Sequence, residues 1–542
     1  MIFRGSKVRR NYFLIVLGFL FMFQGYLYSI DIKFISDNKY IPIDLMFNPD
    51  ITNYSKMVDY TVFSVRIMTQ TESGNEVFIN GHKTTVPVSV PYYLKFGKNI
   101  FIIEIKNLKN KTSKSFRIVI QRYPIKPIPV IFIDADKMIP DEPKMSAKMY
   151  CFTNYSWGTG MPYLKSACEA YNIKIELRGK SSVTNDQNQA VPKSQFAVKV
   201  FGQNGKEKIV SILGLPEDSD WVLNGPYSDK SLLRNFLAYE LAREMGMYAP
   251  RTVFVELYLN QNKSLVSTND YFGLFLLTER IKPSPDKVDI AIGKADKFSV
   301  GYIFKKDKPD EAMVTFTSFS KTAWEIEYPK KKKIIASTIL PLSNYISKFE
   351  ESLISMKFSG TESYANYIDT DSFIDYMILN IAARNADAFV FSTYFYKDVN
   401  GKIMAGPPWD FNIAFGNINY YDCYYCNGWW LPYRYLPSKL MKDPSFVKKL
   451  IARWYELRQN VLSDWNVEFI IDQITIRIDE AQKRNFQEWP VLGVYLWPNP
   501  LPLPKTYEEE ILKLKYWLIT RLKWVDQNIK GIANLPPEKW SK

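Results

Sequence analysis

Two aspartates, Asp387 and Asp410, lie 23 residues apart in contexts suited to chemistry. The first closes Asn385-Ala386-Asp387 after a helical pattern, where a carboxylate is either a general base or a cap. The second sits in Pro407-Pro408-Trp409-Asp410-Phe411-Asn412. Prolines and aromatics make that carboxylate rigid and half buried, so it needs a cation or hydrogen-bond donors. Magnesium together with nucleotide phosphates would satisfy it. Two basic segments lie upstream. Glu176-Leu177-Arg178-Gly179-Lys180-Ser181-Ser182 ends a strand pattern in a hydroxyl-rich loop. Its amides, with Arg178 and Lys180, could cradle phosphate, and a plain polar turn is the alternative. In Lys193-Ser194-Gln195-Phe196-Ala197-Val198-Lys199-Val200, a strand puts Phe196, Val198 and Val200 on one face. Lys193, Ala197 and Lys199 take the other. That pattern reads as an edge strand with solvated lysines, or as a strand whose lysine holds nucleotide phosphates.

The residues that are missing narrow the chemistry. The one histidine, His82, lies in the turn Asn80-Gly81-His82-Lys83. A Ser-His-Asp triad, a His-activated cysteine and a His-ligated metal all need imidazole. Catalysis therefore rests on Asp, Glu, Lys, Arg or Cys. The formal net charge is +14, but Arg4, Lys7, Arg9 and Arg10 belong to the first ten residues, leaving about +10 for the rest. The clearest basic run, Lys330 to Lys333, reads as a solvated loop or helix start, so no nucleic-acid partner is expected. Cys151, Cys168, Cys423 and Cys426 are an even set. Without histidine the spacing Cys423-Tyr-Tyr-Cys426 points to local disulfides rather than zinc.

These residues must be positioned by several elements, because 542 residues exceed one ordinary domain. Tyr12 to Gly25 is an apolar run after a basic start, the layout of a signal peptide over 1–29 or of an uncleaved anchor. Either reading exports the rest, to the cell surface, the periplasm or the extracellular space, with membrane contact only through an uncleaved N-terminal segment. Residues 30–123 alternate apolar and polar with turn signals between, which predicts an all-β sandwich. A proline-spaced linker, 124–129, follows. From 130 to 535 strands and helices mix. Helices are expected at Ser231–Met245, Asp371–Arg384 and Glu508–Ile529, and strands at Ile173–Leu177, Gln195–Val200, Thr252–Leu259, Tyr271–Leu277 and Phe389–Tyr396.

The segments "LMFNPDITNY", "VFINGHK", "LKFGKNIFIIEIKN" and "KSFRIVIQR" resemble bacterial cadherin-like β-sandwich domains. Such modules space or attach, which implies an envelope or polysaccharide contact. Further on, "IELRGKSS", "PKSQFAVKV", "SDWVLNGPYSDKSLLRNFLAYELAREMG", "PRTVFVELYLN", "YFGLFLLTERI", "RNAD" and "PPWDFNIAFGN" occur in order. Together they resemble the CotH (spore-coat protein H) kinase family. The resemblance implies a multidomain chain whose sandwich precedes an α+β, atypical protein-kinase-like domain. It also implies transfer of the ATP γ-phosphoryl group to Ser/Thr hydroxyls of secreted or surface proteins, with ATP and Mg2+ as cofactors. By motif position Asp387 is the catalytic Asp and Asp410 the metal-binding one, with Asn412 beside it. Arg178, Gly179, Lys193 and Lys199 would line the nucleotide site, and Arg234 and Glu240 would lie on the helix that supports its lysine. Glu279 is a further charged family position, taken here with the nucleotide set. Two departures stand out. Asn412 replaces a carboxylate that many relatives carry, and Ser392 occupies the position where kinases place a metal-binding Asn. They leave open a non-catalytic adhesin or envelope scaffold. Paired carboxylates would also serve a carbohydrate-active enzyme, against which the basic loop argues.

Overall fold

The computed structural model describes residues 31–535 except 37–40, 44–47, 49, 59–61, 63, 72, 85–88, 90, 96, 123–127, 154, 158–161, 165–168, 180–190, 264–266, 294–299, 309 and 311–312. The leader 1–29, Cys168, Lys180 to Ser182 and most of the proline-spaced linker lie outside the described residues. The chain divides into two units, Met1–Lys126 and Pro127–Lys542.

In the first unit, β1 (Asp31–Ser36), β2 (Ile41–Ile43), β4 (Ser64–Gln70) and β7 (Tyr92–Tyr93) form a sheet in the order β2-β1-β4-β7. A second sheet, β3-β9-β8-β5-β6, is built from β3 (Asn53–Val58), β5 (Asn75–Ile79), β6 (His82–Thr84), β8 (Gly97–Asn107) and β9 (Thr112–Arg122). The period-two pattern turns Phe101, Ile103 and Ile105 of β8 and Phe116, Ile118 and Ile120 of β9 inward, where they meet Val65 and Ile67. This is the shared core of two facing sheets that the alternation predicts.

The second unit opens with a closed barrel. Its strands are β10 (Val130–Asp134), β11 (Met145–Phe152), β14 (Glu169–Arg178), β15 (Gln195–Phe201), β16 (Asp220–Asn224), β17 (Thr252–Asn260) and β18 (Tyr271–Glu279), in the order β10-β11-β14-β15-β16-β18-β17. A hairpin of β12 (Tyr155–Trp157) and β13 (Pro162–Leu164) stands apart. The parallel β10–β17 pair closes the ring. Phe196, Val198 and Val200 fill the barrel with Ile173, Ile175, Leu257 and Leu277, as their alternation requires. A second sheet, β20-β21-β19-β22-β23, comprises β19 (Tyr302–Lys306), β20 (Val314–Thr317), β21 (Ala323–Tyr328), β22 (Thr393–Lys397) and β23 (Ile403–Ala405).

Among the described residues the helices are α1 (Arg234–Glu244), α2 (Ala336–Ile354), α3 (Thr370–Ala383), α4 (Tyr435–Leu440), α5 (Pro444–Arg458), α6 (Asp464–Glu488) and α7 (Tyr507–Asn528). Their apolar faces build one large core, in which Leu237 and Leu241 of α1 join Met377 and Ile381 of α3 and Leu518 and Leu522 of α7. Two pins hold α6 on the barrel. Arg484 grips Glu256 of β17 with two bonds of 2.8 Å. Asn485 accepts from Lys193 at 2.7 Å and from the Leu274 N–H at 3.0 Å. Gly273 permits the second pin, because a Cβ there would stand 2.8 Å from the Asn485 Oδ1.

Two local expectations change. The helix expected from Ser231 begins at Arg234, because the Asp229 carboxylate takes the Arg234 N–H at 2.9 Å and the Ser231 hydroxyl at 2.6 Å, and Leu232 is left-handed at φ 64°. The strand expected over Phe389–Tyr396 is confined to Thr393–Lys397. Phe389 and Ser392 have φ of 61° and 47°, and the Val390 and Phe391 N–H groups both donate to the Asp387 carbonyl at 2.9 Å. That makes a tight turn where the aromatic run suggests extension.

Candidate active site

Barrel, second sheet and helices meet around a cleft of about 1340 Å3. The barrel contributes Arg178 and Gly179 at the end of β14, Gln195 and Ala197 of β15 and Asn224 of β16. The remaining walls carry Lys305, Asp307, Lys308, Glu327, Asp387, Ser392, Asp410 and Asn412. Tyr420, Tyr421, Tyr495, Trp497 and Pro498 form an aromatic flank, in which Tyr420 and Trp497 stack at 5.9 Å.

Asp410 is held by α1. It is left-handed at φ 62°, a conformation that costs roughly 1–2 kcal/mol for an L-residue. Its N–H donates to the Tyr239 hydroxyl at 3.2 Å, and the next N–H, of Phe411, donates to the Asn235 Oδ1 at 2.6 Å. Asn235 in turn donates to Asn224 at 3.3 Å, and Asn224 to Gln195 at 2.8 Å. A line of side-chain amides thus runs from β15 through β16 and α1 to the Asp410 loop. Trp409 stacks on Tyr239 at 6.2 Å, and the Arg178 guanidinium lies over its ring at 4.9 Å.

Asp387 follows the end of α3. Arg384 closes that helix in the left-handed region at φ 44°. The Asp387 N–H donates to Asn385 Oδ1 at 3.1 Å, and Asn385 donates to Asn380 at 3.0 Å. The Ala386 carbonyl accepts from Trp430 at 3.0 Å and from Arg434 at 2.6 Å. Asp307 approaches the same turn from the end of β19, accepting from the Ser392 N–H at 3.4 Å, the Lys308 N–H at 2.9 Å and the Lys305 ammonium at 2.9 Å.

The charges are mixed and largely dehydrated. Burial, then the Asp410 charge, pushes the Asp387 carboxyl up to about 7, against the pull of Lys308 and Arg434. Burial and the Asp307 charge push Asp410 up to about 6, opposed by Arg178 and Lys308. Burial, with Arg280 nearby, lowers the Arg178 guanidinium. Glu327 goes the other way. Arg280, Lys330 and Lys305 overcome its burial and hold it down at about 2.

The cleft collects Arg178, Gly179, Asp387, Asp410 and Asn412 from the residues named by sequence. Five others are engaged elsewhere. Lys193 is 1% exposed and donates to Asn485, to the Leu274 carbonyl at 2.9 Å and to the Pro226 carbonyl at 3.1 Å, a pin between barrel and α6. Lys199 pairs with Glu207 at 2.7 Å and Asp220 at 3.2 Å. Glu240 pairs with Arg243 of its own helix. Glu279, wholly buried, takes both Arg251 nitrogens at 2.9 Å. Arg234 is bound to Asp229. Thus α1 meets the cleft through Asn235 and Tyr239 rather than through Glu240.

Lys305, Asp307, Lys308, Arg280 and Glu327 were not anticipated. Lys305 lies opposite Glu325 across the β19–β21 pair, with 3.5 Å between the charges. Opposite charges inside two aromatic strand patterns are the signal that points to them. Cys423 and Cys426 are free thiols, in place of the local disulfide expected between them. Among the described residues no helix is long and apolar enough to cross a membrane.

Residues 175–525, which supply most of the cleft, the later barrel strands and the mixed sheet, match the family described as CotH kinase protein, and the chain belongs to that family. Residues 27–123 match the cadherin-like beta sandwich domain. The inner spore coat protein H of Bacillus subtilis (strain 168) is 23% identical over 194 residues, 36% of this chain. The match covers 49% of that relative, about half its length.

Proposed function

We propose that the chain is an exported, ATP-dependent protein kinase of atypical kinase-like fold that phosphorylates Ser/Thr hydroxyls of secreted or surface proteins. The observation that supports this best is the pair of dehydrated carboxylates, Asp387 and Asp410, facing Arg178, Arg280, Lys305 and Lys308 in one large cleft. A triphosphate would add negative charge beside those cations in a dry site, and a divalent cation would add positive charge beside the carboxylates. Asp410 and Asn412 are the residues that would hold magnesium, which neutralises charge on the transferring phosphate. Among the described residues no group of three or more acidic, His or Cys side chains forms a full cage. Magnesium suits such a place, since it draws most ligands from phosphate and water.

Asp387, with its carboxyl near neutrality, accepts the hydrogen bond of the acceptor hydroxyl and takes its proton. The hydroxyl oxygen bonds to the γ-phosphorus as the bond to the β–γ bridging oxygen breaks, and ADP leaves. Arg178, Arg280, Lys305 and Lys308 hold the phosphates, and the amide line ending at Asn235 keeps the Asp410 loop in place. The sandwich domain would attach the enzyme to an envelope surface.

Labelled ATP supplied with magnesium to the purified chain should leave label on protein, and Asp410→Ala should abolish it with the fold intact. Equal labelling by both would reject the assignment of Asp410. A second reading, a non-catalytic surface scaffold, is favoured by Asn412 and by the engagement of Lys193 and Lys199 outside the cleft. It predicts no nucleotide binding by the wild-type chain.

A further inference from the structure

We propose that Cys423-Tyr424-Tyr425-Cys426 is a thiol–disulfide exchange site for a disulfide-bearing oxidant, and that its oxidation state sets the position of the Asp387 turn. The two thiols lie in a loop where Tyr421 and Asp422 are both left-handed, at φ 58° and 54°. Cys423 is fully buried against Ala386, Ile418 and Trp430, while Cys426 is half buried.

Two guanidiniums are sunk beside them. Arg384 is 5% exposed and Arg521 1%. Arg384 donates to the carbonyls of Tyr425, at 2.6 Å, and Asn427. Arg521 donates to Ile381 at 2.9 Å, Cys426 at 3.2 Å and Gly428 at 2.7 Å, again all carbonyls. Their hydrogen-bond partners are thus neutral backbone. Buried positive charge of this kind opposes the effect of burial on a neighbouring thiol. Burial pushes the Cys423 thiol up to about 11, against Arg384, Arg434 and Arg521. Cys423 is thus the protonated, inner partner, and the half-buried Cys426 is the one an oxidant reaches.

In the exchange, Cys426 loses its proton and its sulfur bonds to one sulfur of the oxidant, whose other sulfur leaves as a thiolate. Cys423 then loses its proton and bonds to the Cys426 sulfur, expelling the second thiolate. One disulfide is reduced to two thiols, and the C-x-x-C pair gives up two electrons and two protons.

The consequence for Asp387 follows from the neighbours. Arg384 ends α3 three residues before Asp387, and its partners are carbonyls of this loop. Trp430, in contact with Cys423, donates to the Ala386 carbonyl at 3.0 Å. Drawing Cys423 toward Cys426 withdraws a side chain packed on Ala386 and turns the carbonyls that hold Arg384. This second half rests on the kinase reading, whereas the exchange does not.

The full chain is equilibrated with oxidised and reduced glutathione at varied ratios, quenched by alkylation, and mapped by mass. The expected result is a Cys423–Cys426 peptide lighter by two hydrogens that escapes alkylation at oxidising ratios and returns on reduction. Cys423→Ser should trap a glutathione adduct on Cys426. Alkylation of both cysteines at every ratio, or no adduct on Cys426 in that variant, overturns the proposal. If labelling from ATP is observed, it should fall about tenfold on oxidation, the scale expected for a small displacement of a reacting group. Cys423→Ser should remove that response under conditions where the adduct is reduced off. An unchanged rate in the oxidised wild type overturns the coupling, and absence of labelling in the reduced form counts against the kinase reading alone.

Discussion

Burial raises the Asp387 carboxyl to about 7, a range that unperturbed side chains reach only through histidine. Its raised value has a thermodynamic sign. Between about 4 and about 7 the folded chain retains a proton that the unfolded chain has released, so stability falls as pH rises through that window. Asp387→Asn should remove this slope and stabilise the protein by roughly 1–3 kcal/mol at pH 8, read from denaturant unfolding, while phosphate transfer drops by orders of magnitude. The cations divide by place rather than by type. Lys305 faces the cleft, and Lys199 is committed to Glu207 and Asp220. Lys305→Ala should weaken ATP binding about ten- to a hundredfold in a calorimetric titration, and Lys199→Ala less than about twofold. The reverse order would restore the reading of Lys199 as the phosphate lysine.

Elements position these groups through polar side chains at their ends. Helix α1 holds the Asp410 loop by Asn235 and Tyr239, and the amide line reaches β15 through Asn224 and Gln195. Asn235→Ala leaves the buried Phe411 N–H without its acceptor and should cost about 1–3 kcal/mol. Under the kinase proposal its effect should fall on kcat more than on KM for ATP, because the Asp410 loop moves while Arg178, Lys305 and Lys308 stay. The strand ends carry a second ionic layer. Asp218 and Asp220 meet Lys282 at 2.6 and 2.7 Å, and Lys282 and Lys199 overcome burial to hold Asp220 down at about 2. A depressed carboxylate stabilises fully above its unfolded value near 4 and loses that contribution as pH falls toward 2. Acid unfolding should therefore be steep between those values, and Asp220→Asn should flatten it.

At the scale of the whole molecule the two units have separate cores, and each apolar set closes on itself. The full chain should show two calorimetric unfolding transitions, and residues 127–542 expressed alone should keep the upper or lower one unchanged. A single cooperative transition lost on truncation would refute their independence. The sandwich could be read along the chain because strand alternation is local, and each residue's face follows from its neighbour's. The barrel strands β15, β17 and β18 were legible for the same reason, whereas Asp387 and Asp410 were brought together by the ordered motifs of the family resemblance. Partner choice was not legible. Lys193 and Lys199 alternate as phosphate lysines do, yet Asn485, some 290 positions away, claims the first and Asp220 the second. Lys305 and Asp307 sit in an ordinary charged strand end until β22 and the Ser392 turn close over them. Composition and motif determined which chemistry was available, with two carboxylates and no useful imidazole. Only the tertiary structure decided which cations face them and which thiols lie beneath the Asp387 turn, because charge pairing and burial depend on contacts between segments that local sequence does not encode.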